Sequence, residues 1–181
     1  MSKIFGIGLP KTGTVSLAKA LESFDLRVIH NPFGFYKQVL EEANFTWQPD
    51  TWDALVHFGT RYYRHLDRVY PKSQFILTTR QRETWLDSCE RWWEAHRVAS
   101  DDPDTHLSNM STFGTRRFHR GQFGDIFDQH EDCVRRCFRR AGKDKLLVLP
   151  LDAKDKLGDL TGFLGRDPRH GHSYPHENAN P

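Results

Sequence analysis

Five short runs of strand-forming residues alternate with helical patterns along this chain, and that alternation restricts the possible folds more than any other feature. The runs are Ile4–Leu9, Arg27–His30, Asp53–Phe58, Gln74–Thr79 and Leu146–Leu149. Strands alternating with helices predict an α/β fold, with a central parallel sheet of about five strands covered by helices on both faces. The length of 181 residues suits one domain, and with no repeat or linker visible residues 1–181 read as a single domain. A chain of this size buries roughly 70% of its unfolded surface, so it needs no disulfide or metal to fold. Its 13 Phe, 5 Tyr and 5 Trp supply large pieces of core.

Helical periodicity fills the gaps between the runs. Leu17, Leu21 and Phe24 form one stripe, and Tyr62, Leu66 and Val69 a second. Trp85, Cys89, Trp92, Trp93 and His96 share a face of a helix over Glu83–Ala99. A longer helix over Gln122–Ala141 buries Phe123, Ile126, Phe127, His130, Val134, Cys137 and Phe138. Its outer face runs from acidic to basic, with Glu131–Arg135 and Asp132–Arg136 as i,i+4 pairs. Residues 100–121 and the tail from Gly165 are rich in Gly, Pro, Asp, Asn and His and read as loops.

Several classes of function drop out on composition. With 26 basic and 24 acidic residues there is no global pull toward nucleic acid. No stretch approaches the roughly 18 apolar residues of a membrane span, so no membrane association is expected. The N-terminus shows no cleavable apolar segment and the 3 cysteines are too few for a disulfide scaffold, which makes the cytoplasm the expected compartment. His130, Cys133 and Cys137 lie on one helix without a second ligand pair, so no metal is expected there.

In an open α/β sheet, ligands bind at the carboxyl ends of the strands. The first such end is Gly6-Ile-Gly-Leu-Pro-Lys-Thr-Gly-Thr-Val-Ser-Leu17, where a helix begins near Thr14. Helix N-terminal amides bind phosphate. Gly13 lets the backbone approach an anion, Lys11 adds a mobile positive charge, and Thr12, Thr14 and Ser16 add hydroxyls. The same residues also describe a plain helix start with a Thr cap and a surface lysine. The nucleotide-triphosphate pattern in which lysine follows glycine is not met, because Lys11 precedes Gly13. The strand Phe75–Thr79 ends in Arg80, not in an acid for magnesium.

The segment Pro10–Ser16 resembles the 5′-phosphosulfate loop of the sulfotransferases that use 3′-phosphoadenosine 5′-phosphosulfate (PAPS). A second match follows in Phe75-Ile-Leu-Thr-Thr-Arg80 with Trp85-Leu-Asp-Ser88. Further similarity to short soluble members runs through Trp52–Leu55, Tyr63–Leu66, Tyr70-Pro71, Leu146–Val148, Phe163–Gly165 and Tyr174–Asn178. The resemblance implies a P-loop NTPase-like three-layer sandwich and in-line, metal-independent sulfuryl transfer from PAPS to a hydroxyl or amine of a small-molecule or glycan acceptor. PAP, the 3′,5′-bisphosphate, would be the product. It also implies that Lys11, Thr12, Gly13, Thr14, Val15 and Ser16 hold the 5′-phosphosulfate and that Arg80 and Ser88 hold the 3′-phosphate. Lys11 would stabilise the leaving phosphate. Two alternatives stand beside this reading: a small-molecule kinase of similar topology, and a catalytically inactive nucleotide-binding relative.

The acceptor needs a general base. His57 ends the third run, where the better-known members place a catalytic histidine, and an imidazole suits proton removal near neutral pH. A strand-end histidine with a structural hydrogen bond is the competing description. Asp53, His30 and His119 are reserve candidates. Arg116-Arg117-Phe118-His119-Arg120 reads either as a grip on an anionic group or as a solvated loop. Phe33, Phe35, Tyr36, Phe45 and Trp47 are available as an acceptor wall or as core.

Overall fold

The computed structural model describes residues 2–57, 60–96, 103–142, 144–169 and 173–175. In chain order the elements are β1 (Ile4–Gly6), α1 (Thr14–Glu22), β2 (Val28–His30), α2 (Phe33–Glu42), β3 (Ala54–Val56), α3 (Tyr63–Val69), β4 (Gln74–Thr79), α4 (Arg82–His96), α5 (Pro103–Phe113), α6 (Arg120–Phe138), β5 (Leu146–Pro150) and α7 (Lys156–Leu164). The strands form one sheet in the order β2-β3-β1-β4-β5. All its pairings are parallel, with Ile4 opposite Ala54 and Gln74, and Phe75 opposite Leu146. The α/β expectation holds.

Strand alternation sorts side chains into two cores. Ile4, Ala54, Val56 and Ile76 point to one face, where Leu17, Leu21 and Phe24 of the α1 region and Leu160 of α7 cover them. Phe5, Leu55, Phe75 and Leu77 point to the other, against Phe35 and Val39 of α2, Leu66 of α3, and Val134 and Phe138 of α6. A third cluster of Leu9, Trp85, Leu86, Cys89, Phe113, Phe123 and Phe127 seats α4, α5 and α6 above the carboxyl end of β1. Helices therefore flank the sheet on both faces, as a three-layer arrangement requires.

Some expected boundaries move. Leu9 lies beyond β1 and Asp53 precedes β3, while Phe58 lies outside the described residues. Residues 100–121 are not all loop: α5 occupies Pro103–Phe113, with Ser108, Thr112 and Phe113 buried. In α3, Val69 is exposed, and Tyr63, Leu66 and Tyr70 turn inward instead. The helix expected over Glu83–Ala99 is described as far as His96. In α6, Cys137 is exposed. Arg135 makes the expected pair with Glu131 at 3.0 Å, whereas Arg136 donates to Cys133 Sγ.

Candidate active site

The loop between β1 and α1 is shaped by what it touches underneath. A Cβ on Gly8 would fall on the Thr78 hydroxyl and lie 2.5 Å from the Thr78 carbonyl, so only glycine lets the chain leave β1 this close to β4. Thr12 Oγ1 donates to Leu9 O at 2.6 Å and pairs with Thr78 Oγ1 at 2.7 Å. Trp85 Nε1 donates to Pro10 O at 2.7 Å. With these groups tied inward, Lys11 takes left-handed backbone at φ 67 and Gly13 at φ 96. The hydroxyl expected of Thr12 at an anion is thus committed to the fold, and Thr12 is buried. Gly13 caps α1 without a side-chain hydrogen bond. The first amides of α1 have no intrahelical acceptor, and the helix dipole adds positive potential there.

Above this loop opens a cavity of about 520 Å³. Lys11, Gly13, Thr14, Val15 and Ser16 form its floor. Arg80, at the carboxyl end of β4, and Ser88, Arg91, Trp92 and Trp93 of α4 form one wall. His30, Asn31, Phe33 and His57 form the opposite wall, and Ser108, Asn109, Leu151, Lys156 and Pro175 complete the lining. Thus every nucleotide-site residue expected from sequence except Thr12 reaches one cavity. Lys11, Arg80, Arg91 and Lys156 are cationic, and among the described residues no carboxylate lines the space. Burial, then Arg80 and Arg91, hold the Lys11 ammonium below its ordinary pKa. Burial pushes the neighbouring Cys89 thiol up to about 12, so it is a neutral thiol and no nucleophile.

His57 sits in the turn after β3. Its amide donates to Gly6 O at 3.1 Å, its carbonyl accepts from Tyr36 Oη at 2.8 Å, and its backbone is left-handed at φ 63. The ring meets the cavity, yet both nitrogens are shielded from water and have no partner among the described residues. Burial, reinforced by His30 and Lys11, lowers its pKa to about 3. His30, whose pKa burial also lowers, places Nε2 3.3 Å from Thr14 Oγ1.

The other candidates lie elsewhere. Asp53 is at the opposite end of β3, where an ion pair with Arg27 at 2.9 Å lowers its pKa to about 2. His119 is exposed at the start of α6. Arg120 pairs with Glu83, Asp87 and Glu90 of α4, and Arg116 lines a shallow groove with Met110, so neither reaches the cavity. Of the five aromatics that follow β2 in the sequence reading, Phe33 lines it; Phe35 and Tyr36 are core, and Phe45 and Trp47 pack against that core. His130 Nε2 meets Ile7 O at 2.8 Å, and His130, Cys133 and Cys137 form no metal-holding group among the described residues. Sequence reasoning missed Arg91, although it follows Ser88 by one helical turn on α4. It also missed Lys156, whose Nζ donates to Leu151 O at 2.7 Å, and no local pattern marks that residue.

A basic cavity at the carboxyl ends of a parallel sheet, with a lysine-bearing loop feeding a helix N-terminus, is suited to an anionic ligand. The comparisons narrow the class. Residues 3–181 match the family described as "Sulfotransferase domain", and the chain belongs to that family and is a transferase. A sulfotransferase from Alicyclobacillus acidocaldarius shares the fold, with a TM-score of 0.61 at 13% identity over 97% of this chain and 87% of that one. None of the curated proteins matches. Among the described residues, no helix is long and apolar enough to cross a membrane.

Proposed function

We propose that this chain acts as a single sulfotransferase domain. It moves a sulfuryl group from PAPS to a hydroxyl or amine of a small-molecule or glycan acceptor, in line and without a metal. The observation that carries this reading is the convergence of the Lys11–Ser16 segment with Arg80, Ser88 and Arg91 on a single cavity with no carboxylate among the described residues that line it. The donor is polyanionic, so this residue set suits it. The amides at the start of α1 and the Thr14 and Ser16 hydroxyls receive the 5′-phosphosulfate, while Arg80 and Ser88 hold the 3′-phosphate. Lys11 stabilises charge on the departing phosphate oxygen, an electrostatic role of the kind that dominates such transfers. His57 receives the acceptor proton. Its proton affinity is depressed in part by Lys11, and an anion bound over Lys11 offsets that contribution.

A small-molecule kinase needs carboxylates or hydroxyls to place magnesium on a triphosphate. Among the described residues the cavity lining holds no carboxylate, which favours the sulfotransferase reading. The test is transfer of labelled sulfate from PAPS to a panel of acceptors. Transfer that is lost in Lys11→Ala is the expected result. Magnesium-dependent phosphate transfer from ATP in its place would refute the proposal, and no transfer of either kind would favour the inactive relative.

A further inference from the structure

The charges along α4 are paired with one exception, and the exception faces the cavity. Glu83, Asp87 and Glu90 follow one another at helical spacing, and Arg120 of α6 bonds to all three, at 2.9, 2.8 and 3.2 Å. Arg82 pairs with Glu83 and Asp128. Asp87 also stands four residues before Arg91, the spacing of an ion pair on a helix, but Arg120 already holds it. Arg91 is left without an ion-pair or hydrogen-bond partner among the described residues, and it lines the cavity. Ser88, one turn earlier, is in the same condition: it is 9% exposed, lines the cavity, and makes no side-chain hydrogen bond among the described residues. Its hydroxyl does not return to the carbonyl one turn back, the common bond of a serine within a helix.

The charge of Arg91 is felt at the β1–α1 loop. After burial, Arg80 and then Arg91 lower the Lys11 pKa, so the guanidinium stands on the loop's side of α4. Arg80 Nε donates to Thr84 Oγ1 at 3.2 Å, which leaves its two terminal nitrogens for a ligand. A phosphate monoester brings nearly two negative charges and three strong acceptor oxygens. Arg80 and Ser88 answer one of those charges and only part of that acceptor capacity. A second guanidinium one helical turn beyond Ser88 answers the rest, in the fork geometry that suits phosphate. The 5′-phosphosulfate has partners of its own in Lys11 and the first amides of α1.

We propose that Arg91 is a third ligand of the donor's 3′-phosphate, and that Arg80, Ser88 and Arg91 together select nucleotides that carry this group. This rests on the sulfotransferase reading of the cavity. The phosphate lies against Ser88, between one guanidinium at the end of β4 and another on α4, so residues 80–91 supply both of its cations. Arg120 has an indirect part: by occupying Asp87 it keeps Arg91 available. Because Arg91 is exposed at the cavity wall, it binds the phosphate without the cost of holding a buried charge in the empty site.

The test is calorimetric titration of wild type and Arg91→Gln with PAP and with 5′-AMP, which lacks the 3′-phosphate. Salt is held at about 0.15 M, where exposed charges more than about 8 Å apart are largely screened. Arg91→Gln is expected to lower PAP affinity by about fivefold, the worth of one exposed charged contact, and 5′-AMP affinity by less than about twofold. Retained 5′-AMP binding also shows that the variant is folded. In labelled-sulfate transfer the KM for PAPS should rise by a similar factor while kcat holds, because the contact is the same before and during transfer. Unchanged PAP affinity overturns the proposal, as does a change confined to the acceptor's KM. Equal loss for PAP and 5′-AMP assigns Arg91 to the 5′ group and also overturns it. Failure of the wild-type protein to bind PAP refutes the donor reading, a result separate from these.

Discussion

Trp85→Phe isolates the contact that shapes the β1–α1 loop. Trp85 is fully buried, 4.9 Å from the Phe127 ring and 6.1 Å from the Phe123 ring, centroid to centroid. Its indole N–H makes the 2.7 Å bond to Pro10 O. Phenylalanine keeps an aromatic ring in the cluster and removes both that donor and part of the volume. A carbonyl left without its partner costs about 1–3 kcal/mol, and the residual void adds about 1 kcal/mol. The total is about 3 kcal/mol, equivalent to a Tm about 6–12 °C lower for a chain of this size. Stability alone does not test the role. Pro10 precedes Lys11, whose left-handed φ of 67 depends on the loop's anchorage. PAP affinity should therefore fall by about five- to tenfold, the worth of about 1 kcal/mol of loop ordering. Phe127→Leu is the control, because Phe127 packs in the same cluster and has no side-chain group that can hydrogen-bond to the loop. It should lower Tm and leave PAP affinity unchanged in calorimetry. Wild-type PAP affinity in Trp85→Phe, or equal loss in Phe127→Leu, would refute the anchoring argument.

Other perturbations follow from the same geometry. Lys11→Ala should lower kcat by about 10²–10³ in single-turnover transfer assays, with a smaller loss of PAP affinity. Gly8→Ala should destabilise by about 3 kcal/mol or more in denaturant melts, since its Cβ has no room against the Thr78 backbone. Arg80→Ala should erase the preference for PAP over 5′-AMP, read by competition titration, because the 3′-phosphate is what distinguishes them. Stability should also fall in acid. Folded His57 has a pKa of about 3, below the unfolded value of about 6.5, so the unfolded chain binds the extra proton. The contribution is complete above pH of about 6.5 and declines by up to about 1.4 kcal/mol per unit as pH falls toward the folded value. Urea melts of wild type and His57→Asn between those limits should show a shallower slope for the variant.

The sheet was legible where burial is two-sided. Gln74–Thr79 matches β4 at both ends because β4 is a central strand with helices over both faces, which leaves Phe75–Thr78 buried with no exposed face to blur the pattern. The first run was read too long, since Ile7 and Leu9 are as buried as strand residues although the chain has already left β1. α5 was missed because its buried side includes Ser108 and Thr112, which carry no hydrophobic period. The cavity floor was readable because residues 11–16 are contiguous. The corner at Asn31 and His57 was not. Asn31 and His57 meet only through strand pairing, and neither sequence neighbourhood announces an unpartnered amide. Thr12 shows the opposite limit: a residue of the right type in the right loop faces inward because Leu9 O and Thr78 claim its hydroxyl.

Equilibrium titration with PAP, 5′-AMP and ATP with magnesium tests the central claim most directly. The cavity as read, with the β1–α1 loop at one phosphate and Arg80 with Ser88 at the other, predicts that PAP binds tightest, ahead of both competitors by about tenfold or more. ATP with magnesium binding more tightly than PAP, or 5′-AMP binding equally well, would contradict it.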